Sequence, residues 1–109
     1  MLPEKHSRYV EQGLLDTKTY CLTCHHIRGE GGKKYPEDLL QAACHWNDTD
    51  LKAMIESPRR FKPSSTMPSL GRMLLANERR LIIERIVNFL NMMQIEQHLS
   101  CVKKATPYQ

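Results

Sequence analysis

Aromatic side chains are scarce in this chain of 109 residues, which has one tryptophan, two phenylalanines and four tyrosines with which to build a core. A single domain is expected over 1–109, with a folded core of about residues 7–99 and a polar tail over 100–109. A domain of this length buries only about two thirds of its unfolded surface, so the core is modest. No apolar run approaches the roughly 20 residues that cross a bilayer, and no membrane span is expected. The first residues, Met1 to His6, lack the hydrophobic stretch of a secretory signal. No run of like charge is long enough for a nucleic-acid arm, although the formal net charge is +4. The cations are spread, densest at Arg28, Lys33, Lys34, Arg59, Arg60, Lys62, Arg72, Arg79, Arg80, Lys103 and Lys104. They read either as ordinary solvated charge or as a basic surface that steers an acidic partner protein, an effect that salt screens. Internal repeats are absent, and no segment alternates with period two for long enough to make a strand, so the expected fold is all-α.

There are only four cysteines. Two of them stand in Cys21-Leu22-Thr23-Cys24-His25, a C-x-x-C-H motif. A bare C-x-x-C would be a dithiol pair or half of a zinc site, and both need partners that are missing: there is no second C-x-x-C, no following H-x-x-x-H and no surrounding βαβ pattern. The adjacent histidine points instead to covalently attached haem c, one group per chain. Two thiols three apart on a helical turn can each form a thioether, while the next residue is carried under the ring to ligate the iron. The cofactor would also add apolar area that the aromatic-poor core otherwise lacks. Haem c is attached on the outer side of an energy-transducing membrane. The expected location is therefore periplasmic or an equivalent exported compartment, with a leader inferred to have been removed.

Hydrophobic spacing predicts a first helix from about Ser7, a plausible N-cap, to Tyr20, with Val10, Leu14 and Leu15 on one face. Residues 27–35, with three glycines in Arg28-Gly29-Glu30-Gly31-Gly32, read as loop. A short helix is expected from Glu37 to Ala43, and another from Asn47, Asp48 or Thr49 to Pro58, carrying Leu51, Met54 and Ile55 inward. Residues 58–72, with three prolines and three serines, read as a long loop whose large apolar groups are Phe61, Met67 and Leu70. The last helix is expected from Asn77 to Leu99, with Ile82, Ile83, Ile86, Phe89, Leu90 and Met93 as its apolar stripe.

From roughly Val10 to Met93 this order of elements resembles the small class I cytochromes c. Gly13 stands eight residues before Cys21, as that family's helix glycine does, and Pro36 with Leu39, Pro58, Phe61-Lys62-Pro63, Thr66-Met67-Pro68 and Phe89-Leu90 look like its later elements. The resemblance implies a small cytochrome c fold, its N- and C-terminal helices crossing through Gly13 and the Phe89-Leu90 region and its haem enclosed by short helices and loops. It implies Met67 as the second iron ligand opposite His25; a thioether held in a proline-braced loop is a weak, soft ligand. Met54, Met73, Met92 and Met93 read as core filler. It also implies that the Pro36 carbonyl accepts the imidazole Nδ1 proton, fixing ring orientation.

Two departures stand out. The family's aromatic four residues before the first cysteine is here Thr17, with Tyr20 or Leu14 as possible compensation. Cys44 and Cys101 have no counterpart, and three readings stay open: buried free thiols, a disulfide, or one of them as a thiolate ligand in place of Met67. Of the other histidines, His6, His26 and His98 are poor candidate ligands, and His45 is the one serious alternative. Trp46 suits a haem propionate as a donor and suits core packing equally. The leading expectation is one-electron transfer between redox partner proteins with acidic docking faces, by a free carrier or a subunit of a larger complex, without enzyme activity of its own. The alternative with Cys44 or Cys101 resembles the His/Cys cytochromes found as subunits of complexes, some suited to binding diatomic gases, with a lowered potential.

Overall fold

The computed structural model describes residues 8–103. The expected Ser7 cap, His6 and the end of the tail lie outside the described residues. Among the described residues there are five helices: α1 (Arg8–Tyr20), α2 (Leu39–Ala42), α3 (Asp48–Glu56), α4 (Leu70–Met73) and α5 (Ala76–Glu96). The structure is mostly helical, as the period of the apolar positions predicts, and α3 begins where Asn47 accepts the Asp50 N–H as its cap.

Three local signals displace the expected boundaries. A small antiparallel hairpin, β1 (His26–Ile27) and β2 (Glu30–Gly31), occupies the glycine-rich stretch, where no strand was expected. Its turn residues Arg28 and Gly29 have φ of 53° and 84°, the left-handed pair of a two-residue hairpin turn. Within the proline-rich loop, the chain forms a 3₁₀ turn at Pro58–Arg60 and then α4. The C-terminal helix stops three residues early, because His98 at φ 57° closes a Schellman motif: Leu99 N–H donates to Gln94 O at 3.0 Å and His98 N–H to Ile95 O at 3.0 Å.

The long helices α1 and α5 pack across each other, and the close point is Gly13. A Cβ there would lie 2.6 Å from the Arg85 carbonyl oxygen and 3.0 Å from Phe89 Cβ. Beside it Arg85 Nε donates to Asp16 Oδ2 at 2.8 Å, a largely buried pair. The buried face of α1 is Val10, Gly13, Leu14 and Thr17, whereas Leu15, expected on that face, is 52 % exposed. Leu15 falls outside the i, i+3, i+4, i+7 stripe that faces α5. Thr17 is fully buried and its hydroxyl donates to Gly13 O at 2.7 Å, so a small satisfied side chain fills the position of the missing aromatic, with Leu14 and Tyr20 packed against the core nearby. From α5, the expected Ile82, Ile83, Ile86, Phe89 and Leu90 are buried, joined by Val87 and Gln94, and Leu51 and Ile55 meet them from α3.

Cys44 and Cys101 form a disulfide with Cα atoms 5.0 Å apart, resolving their three readings in favour of a cross-link. The cross-link ties the segment after α5 to the end of α2. Around it Gln94 donates to Leu40 O at 3.0 Å, Lys103 to Gln94 Oε1 at 2.9 Å, and the His45 ring lies 3.2 Å from Val102 O.

Two stability outcomes follow. Gly13→Ala should lower unfolding free energy by about 1–3 kcal/mol in chemical denaturation, overpacking outweighing the helix-propensity gain of about 1 kcal/mol; an unchanged or more stable variant would rule out the close crossing. Replacing both Cys44 and Cys101 with serine should cost about 4 kcal/mol, the chain entropy released by opening a loop of 57 residues.

Candidate functional site

The turn after α1 is built by backbone bonds. Cys21 N–H donates to Thr17 O at 2.9 Å and His25 N–H to Cys21 O at 2.9 Å, so the helical path continues through Cys21-Leu22-Thr23-Cys24 and brings His25 beneath the end of α1. The hairpin then folds back onto this turn. Gly32 N–H lies 2.9 Å from both Leu22 O and His25 O, and Lys34 N–H 3.1 Å from Cys24 O. A Cβ on Gly32 would run into the Thr23 carbonyl, so glycine is required by contact distance. Asp38 locks the hairpin to α2, accepting the Arg28 N–H at 2.7 Å and the Leu40 N–H at 2.8 Å.

Inside this frame lies a small apolar cavity of about 60 Å³. Cys21, His25 and Met67 all line it, with Leu39, Leu51, Ile55 and Leu90 among its walls. Its volume suits a few waters. Both ring nitrogens of His25 are buried without a hydrogen-bond partner. A buried imidazole left so is costly, and iron coordination would use one of its nitrogens. The thioether of Met67 and the Cys21 thiol share the same cavity, so the residues present fit a haem: sulfur nucleophile, nitrogen ligand, soft sulfur ligand and apolar walls. Among the described residues no three His, Cys, Asp or Glu side chains converge as a metal-binding group. No helix among them is long and apolar enough to cross a membrane.

Burial pushes the Cys21 thiol up to about 12, and the nearby Asp16 carboxylate adds to the effect. Burial lowers the His25 pKa, with the neighbouring His26 acting in the same direction. Cys24 is a free, partly exposed thiol that does not line the cavity.

Other expected site residues are placed differently. Pro36 makes no bond to His25, whose Nδ1 has no partner. Instead the preceding residue, Tyr35, stacks on the imidazole with ring centroids 4.6 Å apart. Trp46 meets Phe61 edge to face at 5.5 Å and packs against the core outside the cavity lining. The disulfide removes the thiolate option at Cys44 and Cys101, because neither sulfur carries a free charge in this form. His45 turns to Val102 O and is not among the cavity residues. Tyr35 was not singled out from the sequence; its place directly before Pro36 in the expected histidine-orienting element was the available signal.

No protein-family model, curated protein or solved structure matches this chain.

Among the described residues three groups are shifted, His25 and Cys21 at the site and Lys103, lowered by burial, away from it; the two site groups set a pH profile for protein prepared without haem. His25, lowered on folding, makes stability fall as pH drops below about 6.5. Cys21, raised from 9.0 to about 12, makes stability fall as pH rises through that interval. The alkaline loss should total about 4 kcal/mol at roughly 1.4 kcal/mol per unit. Denaturation curves of the parent and Cys21→Ala check this: the alanine variant should lose the larger part of the alkaline slope, and equal slopes would refute it.

Proposed function

We propose that this protein is a monohaem c-type cytochrome with the small class I fold, moving single electrons between redox partners. The observation that carries the reading is the His25 imidazole of the C-x-x-C-H turn, buried with both nitrogens unpartnered, at an apolar cavity that Met67 also lines. Cys21 and Cys24 would hold the haem through thioethers, and His25 and Met67 would ligate its iron. Bound there, haem iron supplies a one-electron ferric–ferrous couple, and Met/His ligation sets its potential high relative to stronger donors.

The chain's own contribution is to orient and to insulate. Leu39, Leu51, Ile55 and Leu90 surround the ligand side chains with apolar surface. With His25 and Met67 both ligating, the iron would have no open position for substrate, which favours a carrier or a wiring subunit over an enzyme. Arg28, Lys33 and Lys34 lie on the segment after the motif, and Arg59, Arg60 and Lys62 on the segment before Met67. The two segments meet where the Tyr35 hydroxyl lies 3.4 Å from Thr66 Oγ1. All six cations are exposed on these two segments, a suitable basic surface for acidic partner proteins. The disulfide favours an oxidising, exported location.

The test is the ferric optical spectrum with a potentiometric titration. Met67→Ala should abolish the methionine–iron charge-transfer band and lower the potential, while Cys44→Ala and Cys101→Ala leave the band in place. A thiolate-type spectrum in the parent that persists in Met67→Ala would overturn methionine ligation.

A further inference from the structure

The orientation of the His25 ring has no hydrogen bond to account for it. Both of its nitrogens are without partners, so the usual device, an Nδ1–H bond to a carbonyl or carboxylate, is missing. One face of the ring is instead covered by Tyr35, with centroids 4.6 Å apart and planes 25° from parallel. The Tyr35 hydroxyl reaches Thr66 Oγ1 at 3.4 Å, a long hydroxyl contact, and Thr66 directly precedes Met67. The Lys34 ammonium stands 5.6 Å from the centroid of the same tyrosine ring, on the segment that carries it. Among the described residues no backbone hydrogen bond joins residues 33–37 to residues 62–69. A single side chain thus touches the imidazole of one expected iron ligand and the neighbour of the other.

We infer that Tyr35 is a positioning residue for both ligands, its ring setting the plane of the His25 imidazole and its hydroxyl tethering the Met67 loop; the inference rests on the electron-transfer reading above. Stacking restrains rotation about the imidazole axis without occupying either nitrogen. The tether opposes departure of a weakly held thioether, whose loop is otherwise braced by Pro68 and by the Met67 N–H donating to Ser65 Oγ at 3.2 Å.

Three variants separate the parts. Tyr35→Phe keeps the ring and removes the tether, Thr66→Val removes the tether from the other end, and Tyr35→Leu removes both functions. In the ferric haem-loaded protein, added imidazole competes with Met67, and the concentration that half-abolishes the methionine band reports how firmly the loop is held. Tyr35→Phe and Thr66→Val should each lower that concentration roughly twofold to fivefold, the worth of one modest hydrogen bond. The double variant should fall no further than either single one, because both remove the same contact. Electron paramagnetic resonance g values, which follow the imidazole plane, should shift in Tyr35→Leu and hold in Tyr35→Phe. Unchanged imidazole competition in both tether variants, or effects that multiply in the double variant, would overturn the tether. Unshifted g values in a folded Tyr35→Leu would overturn the stacking role. Should Tyr35→Leu fail to fold, the stack is read by NMR in the parent and Tyr35→Phe without haem: upfield ring-current shifts of the His25 protons in both support it, and ordinary shifts in both overturn it. That measurement does not depend on haem, so a protein that proves to carry none would defeat the electron-transfer reading while the stacking claim is still decided.

Discussion

The turn from Cys21 to His25 is held by main-chain bonds on both sides, and the rest of the site depends on that clamp. From one side α1 delivers it, since the Cys21 and Leu22 amides still bond to Thr17 O. From the other, Gly32 and Lys34 return their N–H groups to Leu22 O, His25 O and Cys24 O. The carbonyls and amides of Cys21, Leu22, Cys24 and His25 are thereby satisfied without the motif's side chains, which leaves the thiols and the imidazole available for other chemistry. The clamp needs two conditions, close backbone approach at Gly32 and a hairpin short enough to bring Gly32 back within five residues of Ile27. The α1–α5 crossing at Gly13 fixes where the clamped turn sits relative to Phe89 and Leu90, and so places the cavity wall.

The helices were legible because their apolar residues repeat at helical spacing and because Asn47 and Pro58 punctuate α3. The Gly13 crossing was legible through the family resemblance. What escaped notice depended on backbone geometry that composition does not display. The hairpin is too short for period-two alternation to register, and its signal is a pair of left-handed residues, one of them arginine. The early end of α5 rests on His98 adopting a conformation usually left to glycine. Leu15 was misplaced because adjacent leucines, Leu14 and Leu15, sit about 100° apart on a helix and only one can face the partner.

Of the site residues singled out from the sequence, His25, Cys21 and Met67 line one cavity, although 42 residues separate His25 from Met67 in the chain, and Cys24 does not line it. The fate of Cys44 and Cys101 was not legible, since pairing depends on the separation of two Cα atoms that no local pattern encodes. The same holds for Tyr35, whose contacts lie 10 and 31 residues away along the chain. The disulfide has a structural consequence for the cavity as well: Cys44 follows Ala42 and Ala43, both cavity-lining residues, so the cross-link anchors that wall to the end of α5.

The central claim is that Cys21 and Cys24 carry one haem covalently. The mass of the denatured protein, made with its export and haem-attachment route intact, tests it most directly. The account predicts the polypeptide plus a single haem, reduced to the bare polypeptide when Cys21 and Cys24 are both changed to alanine and unaffected by changing Cys44 and Cys101. A parent protein with the mass of the bare chain would contradict it.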